Sequence, residues 1–242
     1  MKDPVQPSST NAQRASATVE LDKATREAIV GVLLAGGQSR RMFAEAGGGG
    51  DKGLLEIDGK PMIAHVRDRL APQVGALLIN ANGDASRFAP FALPVAADTF
   101  DGFVGPLAGV LAGMRWAQCH VPDARHIVTV STDAPFLPRD LVARLLAGLL
   151  GSVNGERIAL ARSGGHLHPV IGLWPIDLAD DLEAALTEGV RKVLAWTDRH
   201  GTLAVDFADE IVGGHRADPF FNANTPAELE EARRLLARPT RT

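Results

Sequence analysis

The chain has 242 residues, a formal net charge of −4 and a sequence pI of ≈ 6.0. Its length suits one domain of generous size, and the acidic balance argues against nucleic acid as a partner, because duplex binders carry a basic stripe. A single cysteine excludes a disulfide framework or a zinc cluster of cysteines. No apolar run is long enough for a membrane span and no signal peptide is recognisable, so we expect a cytoplasmic protein without a membrane partner.

Residues 1–28 are rich in Ser, Thr, Ala and charge, and this composition predicts a disordered N-terminal extension. Its second half, VELDKATREA, could form a helical turn or two. From Ile29 onward apolar strands alternate with amphipathic helices, which indicates a mainly parallel sheet covered on both faces. The predicted elements are strands at 29–34, 75–80, 93–97 and 126–131, and helices at 61–74, 106–118 and 140–150.

The predicted single domain spans residues 29–238. Its alternation of strands and helices loosens after about residue 155, so we divide it into two parts, 29–150 and 151–238. The second part contains an expected antiparallel strand pair, two amphipathic helices, a late strand and a closing helix with Thr225 as N-cap. The fold class is therefore α/β, Rossmann-like, with a small antiparallel β part in the C-terminal half. These later elements are predicted at 157–162, 168–174, 176–186, 190–197, 202–207 and 225–237.

The first strand runs into a glycine turn formed by Leu34, Ala35, Gly36 and Gly37. The turn is neither a P-loop nor a G-x-G-x-x-G motif, yet its backbone N–H groups can approach an anion closely. Positive charge follows at once in the sequence, which indicates phosphate binding. The cations are Arg40, Arg41 and, after the glycine run Gly47–Gly50, Lys52.

Polar residues also follow the other predicted strands, at the edge where open α/β sheets bind ligands. Asn80 ends the second strand, Asp98 follows the third, with Asp101 as a rival, and Asp133 follows the fourth. A carboxylate behind a buried strand must be solvated, paired or metal-bound. Because Pro138 places the next helix cap near Leu137, we interpret Asp133 as a metal ligand rather than a cap.

Two further patterns lie in the C-terminal half. HLHP places His166 and His168 on one face of a strand, which favours lining of a cleft over a metal site that lacks a third ligand. FFNANTPAEL places Asn222 and Asn224 on one side of an extended stretch. Turn formation is the simpler reading of the two asparagines, and a paired-amide contact to a heterocycle is the more specific one.

Taken together, the motifs resemble those of the molybdenum cofactor guanylyltransferases, the MobA family of nucleotidyltransferases. The matches run in the family's order from Val32 to Leu229. They are LAGG-x-S-R-R-M, D-K-G-L-L-E-I-D-G-K-P-M, N-A-N, D-T-F-x-G-x-V-G-P-L-A-G, T-D-A-P-F-L-P, H-P and F-x-N-x-N-T-P-A-E-L.

The resemblance implies a fold like that of the nucleotide-diphospho-sugar transferases and an enzyme that joins the GMP part of GTP to the terminal phosphate of molybdopterin, releasing pyrophosphate. It also implies Mg²⁺, with Mn²⁺ as an alternative, and partners among molybdenum-cofactor biosynthesis proteins or apo-molybdoenzyme chaperones. The part at 151–238 would then bind the pterin. The implied GTP contacts are Leu34, Ala35, Gly36, Gly37, Lys52, Asn80, Asp98 and Asp133, the catalytic residues Arg41, Lys52 and Asp133, the metal ligand Asp133 and the pterin contacts Asn222 and Asn224.

The sequence departs from the family pattern between R-M and D-K, where Phe43 to Gly50 makes the connection several residues longer. Extra loop length costs little entropy, so a glycine-rich loop can still deliver Lys52. Three other functions remain open at this stage. They are cytidylyl transfer to the same pterin, sugar-nucleotide synthesis and non-enzymatic nucleotide binding.

Overall fold

The computed structural model describes residues 21–36, 42, 50–100 and 105–237. Seven of its strands form one mixed sheet in the order β5-β4-β1-β6-β8-β7-β9. The strands of this sheet are β1 (Ile29–Leu34), β4 (Ala76–Asn80), β5 (Val95–Ala96), β6 (His126–Ser131), β7 (Ile158–Ser163), β8 (His166–Pro175) and β9 (Thr202–Phe207).

The sheet confirms the predicted fold class. Strands β5, β4, β1 and β6 are mutually parallel, so their carboxyl ends lie together, with Leu34 paired to both Asn80 and Ser131. Strand β8 runs antiparallel to both β6 and β7, which confirms the antiparallel reading of that pair, and β9 is parallel to β7. Because β8 is antiparallel, it begins at the edge where the parallel strands end.

Helices cover both faces of the sheet, as the alternating pattern predicts. Apolar side chains of α2 and α4 pack with Leu33, Ile79 and Val130 on one face. Those of α3, α5 and α6 pack with Val32 and Leu78 on the other. The helices are α1 (Lys23–Glu27), α2 (Met62–Leu70), α3 (Pro106–His120), α4 (Leu141–Leu150), α5 (Ala179–Thr187), α6 (Val193–Thr197) and α7 (Pro226–Leu236).

Two short hairpins, which the sequence analysis did not predict, flank the sheet. They are β2–β3 (Glu56–Ile57 and Lys60–Pro61) and β10–β11 (Glu210–Val212 and His215–Ala217). Both turn through two residues with positive φ, Asp58-Gly59 and Gly213-Gly214, as tight hairpins require. Helix α7 packs against them in a third apolar cluster, which contains Ile57, Val212 and Leu229.

Several predicted boundaries need correction. Helix α2 begins at Met62, because Pro61 belongs to β3, and helix α4 is capped at Asp140 rather than near Leu137. The predicted helix at 176–186 opens as a 3₁₀ segment, Ile176–Leu178, before α5. The third predicted strand shortens to Val95–Ala96.

Helix α1 lies inside the segment that was predicted as an extension, so the ordered chain begins before Ile29. The side chain of Leu21 packs on the core, and the Ala28 carbonyl accepts a hydrogen bond from the Arg125 amide (2.8 Å). A helical turn in VELDKATREA is thus confirmed, whereas residues 1–20 lie outside the described part. The division of the domain at residue 150 stays a prediction. No helix in the described ranges has the length and apolar character needed to cross a membrane.

Candidate active site

A cleft opens at the edge where the parallel strands end, and it collects most of the predicted site residues. It is lined by Leu34, Ala35, Gly36, Asp51, Lys52, Asn80, Asp98, Gly105, Pro106, Gly109, Ser131, Thr132, Asp133 and Val170. The predicted residues Gly37, Arg40 and Arg41 lie outside the described residues. Asn222 is not among the lining residues, and Asn224 reaches the cleft through Lys52.

Lys52 and Asp133 form an ion pair in this cleft. The Nζ atom of Lys52 lies 2.5 Å from Oδ2 of Asp133, and the two side chains are only 16% and 8% exposed. The hydroxyl of Ser131 donates to the other oxygen, Oδ1 of Asp133. The prediction that Asp133 does not cap a helix is therefore confirmed. Its buried charge is matched by one cation and one hydroxyl donor, as a buried carboxylate requires.

Lys52 reaches this position because its turn packs closely on the end of β6. It opens a 3₁₀ segment, Lys52–Leu54. A Cβ atom added to Gly53 would lie 2.8 Å from Oγ1 of Thr132, so only glycine allows the turn to approach the strand end this closely. The longer connection before Lys52 thus still delivers the lysine to the cleft.

Asn224 approaches the same lysine from the C-terminal half. Its Oδ1 accepts a hydrogen bond from Lys52 Nζ (2.6 Å). The predicted cap of α7 is confirmed, because Thr225 Oγ1 accepts a hydrogen bond from the Glu228 amide. The Glu228 carboxylate in turn accepts from the amide of Asn224, the residue before the cap. In addition, the Ala223 amide donates to the Asp133 carbonyl (3.1 Å). The start of α7 therefore holds Asn224 against the ion pair.

Asn222 has a different environment. Its Oδ1 is buried without a hydrogen-bond partner within the described residues. Since an unpaired buried acceptor is costly, this amide is the kind of group that a ligand donor would satisfy.

At the opposite side of the cleft, two amides hold Asp98. Asn80 Nδ2 donates to Oδ1 (2.9 Å) and Asn82 Nδ2 to Oδ2 (2.8 Å), while the Asp98 amide donates back to Asn82 Oδ1 (2.9 Å). Sequence analysis brought Asn80 and Asp98 to one edge, and the structure shows them in direct contact. Asp101, the rival candidate, lies outside the described residues.

Two glycines shape the surroundings of Asn80. A Cβ at Gly109 of α3 would lie 2.4 Å from Asn80 Oδ1, so this helix position must remain without a side chain. A Cβ at Gly36 would meet only Asn80 Oδ1, at the ordinary distance of 3.9 Å. Gly36 therefore leaves open space beside the Asn80 amide. Gly109 is needed for a different reason, because any side chain at that position would overlap the amide.

The histidines of HLHP have separate environments. His166 is exposed, whereas His168 Nε2 lies 2.7 Å from Ser163 Oγ and its ring packs 4.8 Å from that of Phe220. The Ser163 hydroxyl donates to Asp218 (2.7 Å), so it accepts from His168. Burial lowers the pKa of His168 and Asp218 opposes that effect. No group of three or more His, Cys, Asp or Glu in the described ranges could hold a metal ion.

The residues that sequence analysis missed are Asp51, Gly53, Gly109 and Ser131. The two glycines belong to the motifs D-K-G and G-P-L-A-G, so the sequence gives their positions. It does not reveal that Gly53 packs on Thr132 and Gly109 on Asn80. Asp51 is next to Lys52 and its side chain is mostly buried. This partial burial raises the pKa of its carboxyl, and the hydrogen bond from Arg87 opposes that rise.

The architecture is that of the nucleotidyltransferases. The solved structure of molybdopterin-guanine dinucleotide biosynthesis protein A from Archaeoglobus fulgidus superposes with a TM-score of 0.62 at 23% sequence identity, covering 86% of this chain and 97% of that one. A likeness at this identity establishes the fold.

Sequence comparison establishes the family. The sequence model of the MobA-like NTP transferase domain matches residues 31–202. A protein named molybdenum cofactor guanylyltransferase from Bradyrhizobium sp. (strain ORS 278) is 50% identical, covering 90% of this chain and 97% of its own length. A protein of the same name from Rhodopseudomonas palustris (strain BisB5) is 48% identical, with coverages of 90% and 99%. The chain belongs to the MobA-like NTP transferase family and is a nucleotidyltransferase, which confirms the resemblance read from the motifs.

Proposed function

We propose that this enzyme transfers the GMP part of GTP to the terminal phosphate of molybdopterin and releases pyrophosphate. The observation that carries the proposal is the convergence of Gly36, Lys52, Asn80, Asp98 and Asp133 in one cleft. The names of the two relatives with 48–50% identity support the same reaction. Neither cytidylyl transfer, sugar-nucleotide synthesis nor simple nucleotide binding has comparable support.

The nucleotide lies, in this proposal, between the glycine turn and the amide-held carboxylate. The backbone of Ala35 and Gly36 approaches the phosphates, and Asn80 with Asp98 contacts the nucleoside. Because the carboxylate of Asp98 is already oriented by Asn80 and Asn82, it binds without first losing rotamer freedom. Gly37 and Arg41 keep their predicted roles as phosphate contacts.

Asp133 fits a magnesium ion in its donor chemistry. A carboxylate with a hydroxyl beside it offers the hard oxygen ligands that Mg²⁺ or Mn²⁺ prefers. Mg²⁺ commonly takes only one or two carboxylates and completes its shell with substrate phosphates and water, so a single aspartate is adequate. When bound, the metal would neutralise charge on the triphosphate and on the leaving pyrophosphate.

Lys52 supplies the protein's own charge stabilisation. Its ammonium group lies at the cleft between Asp133 and Asn224, where it can turn from the carboxylate to a phosphate oxygen. The attacking pterin phosphate is already an anion, so the reaction needs neutralisation and alignment rather than a strong base. Asn222 and Asn224 hold the pterin, and Asn224 thereby connects the second substrate to the same lysine.

The decisive experiment offers the purified protein GTP or CTP together with Mg²⁺ and molybdopterin, and identifies the product by mass. We expect the guanine dinucleotide and one equivalent of pyrophosphate, with no product when Mg²⁺ is chelated. A cytosine dinucleotide, or GTP binding without pyrophosphate release, would contradict the proposal. Cytoplasmic location, molybdenum-cofactor biosynthesis proteins and molybdoenzyme chaperones as partners stay predictions.

A further inference from the structure

An arginine outside the family motifs joins the two sides of the cleft. Arg87 lies in the 3₁₀ segment Ala85–Phe91 that follows β4. Its Nε donates to Asp51 Oδ2 (3.1 Å) and its Nη2 to the Asn82 carbonyl (2.8 Å), while Nη1 donates to the Asp84 carbonyl. Its guanidinium also lies 4.5 Å from the centre of the Phe88 ring. All three nitrogen atoms of the guanidinium are therefore used, and the group is held in one orientation.

Asp51 ties this arginine to the phosphate side of the cleft. The residue directly precedes Lys52, and its side chain is only 11% exposed. Burial acts to raise the pKa of this carboxyl, and the Arg87 guanidinium acts against it. A carboxylate at this depth needs a partner, since an uncompensated buried charge is strongly destabilising. The Arg87–Asp51 pair therefore determines where the residue before Lys52 lies.

Asn82 ties the same arginine to the nucleoside side. Arg87 holds the backbone carbonyl of Asn82, and the Asn82 side chain exchanges two hydrogen bonds with Asp98. A continuous chain of contacts thus runs from the carboxylate predicted to bind the nucleoside to the turn that carries the lysine.

The four residues directly before Asp51 have no side chains that could hold the Lys52 turn in place. They are Gly47–Gly50, and glycine has the greatest backbone freedom of any residue. Within the described residues, the Lys52 turn is restrained by the Arg87–Asp51 pair, by the packing of Gly53 on Thr132 and by the contacts of Lys52 with Asp133 and Asn224.

We propose that Arg87 is a positioning residue that holds the Lys52 turn, through Asp51, at the triphosphate. This inference rests on the proposed role of Lys52 as a phosphate contact. Arg87 acts through another residue, so its loss changes how well the triphosphate is bound. The nucleoside contacts remain, because the side-chain amides of Asn80 and Asn82 still orient Asp98.

The test compares the affinities of fluorescently labelled GTP and GMP, with Mg²⁺, for Arg87→Ala, Arg87→Lys, Asp51→Asn and Lys52→Ala. We expect Arg87→Ala and Asp51→Asn to weaken GTP by about tenfold, the size of one lost charge-assisted contact, and to change GMP less than about twofold. Arg87→Lys keeps the charge but has a single donor group, so it restores only part of the loss. Arg216→Ala is the matched control, because this arginine is 75% exposed and is not among the residues that line the cleft.

A double variant separates positioning from general stability. If Arg87 acts through Lys52, then Arg87→Ala adds little to the GTP loss of Lys52→Ala, whereas an independent structural effect adds in full. Melting temperatures identify any variant that does not fold, and Asp51→Asn and Arg87→Lys then decide the question.

Four outcomes would overturn the inference. Equal losses for GTP and GMP in Arg87→Ala would mean that the arginine supports the nucleoside side only. Additive losses in the double variant would mean that it does not act through the lysine. Finally, a Lys52→Ala variant with unchanged GTP affinity would remove the proposed role of Lys52 as well, whereas a clear Lys52 effect beside a silent Arg87→Ala would leave that role standing and remove this inference alone.

Discussion

The two halves of the sheet approach the cleft in different ways. Strands β1, β4 and β6 end there, and each is followed by groups that face the open cleft, namely Gly36, Asn80 and Asp133. In the other half, β7 ends and β8 begins at the same edge, yet Ser163, His168 and Asp218 bond to one another. Only Val170 of β8 lines the cleft, and Asn224 reaches it through Lys52.

This difference suggests separate roles for the two halves of the sheet. The parallel half presents charged and amide groups to the cleft, because parallel strands bring all their carboxyl ends to one edge. In the antiparallel half, Ser163, His168 and Asp218 satisfy one another. This half contributes to the cleft through a segment, 222–224, that crosses back to Asp133 and Lys52. We therefore expect variants in the first half to change catalysis and those in the second to change the use of the pterin.

The largest effect is expected at Asp133. Asp133→Asn keeps the shape and the Ser131 contact but removes the charge that faces Lys52 and that, in our proposal, holds Mg²⁺. We expect kcat to fall by at least about a hundredfold with the fold intact, as for the loss of one preorganised electrostatic contact. Steady-state pyrophosphate release measures kcat, and circular dichroism shows whether the fold is intact. Activity within a few-fold of the unaltered enzyme would end the metal-ligand role.

Base choice is the next test of the parallel half. A pocket built for guanine leaves polar groups unpaired with cytosine, so kcat/KM for GTP should exceed that for CTP by at least about a hundredfold. Gly36→Ala should narrow this gap mainly by slowing GTP, since its Cβ projects beside Asn80 without straining the protein. Gly109→Ala is the contrasting variant, because it displaces Asn80 and should impair both nucleotides. Comparable rates with GTP and CTP in the unaltered enzyme would refute guanylyl transfer and leave the fold standing.

The third test separates two neighbours in the crossing segment. Asn222→Ala removes an amide whose Oδ1 has no partner in the described residues, so it should raise KM for molybdopterin about tenfold and leave KM for GTP unchanged. Asn224→Ala removes one hydrogen-bond acceptor of Lys52, so it should raise KM for both molybdopterin and GTP. An Asn222 variant that affects GTP alone would mean that the segment serves the nucleotide, and the contrast between the two halves would fail.

The smallest effect concerns stability at the N-terminus. Removing residues 1–20 should leave the melting temperature unchanged, since their polar sequence has no core-forming pattern. Removing residues 1–28 also deletes α1 and the Ala28 carbonyl that holds Arg125. A melting temperature lower by several degrees is expected, at about 2–4 °C per kcal/mol for a domain of this size. Equal melting temperatures for both truncations would show that α1 adds nothing.

Local patterns predict most of the parallel half. Apolar runs ending in glycine, amide or carboxylate placed β1, β4 and β6 correctly, because burial on both faces gives such strands a clear signature. The hairpins β2–β3 and β10–β11 were missed although Asp58-Gly59 and Gly213-Gly214 are turn signals, since their strands of two or three residues carry no period. The pairing of Lys52 with Asn224 joins residues 172 positions apart, and no local pattern contains it.

The close approach of Gly109 to Asn80 has a consequence for how base choice can change. A larger or differently shaped side chain at position 80 would need space that the first turns of α3 do not have, while a side chain at position 109 would remove the amide. Neither position can therefore be altered alone without loss of the other's function. Laboratory evolution toward a new nucleobase would have to cross a fitness valley at this pair, so libraries should vary positions 80 and 109 together.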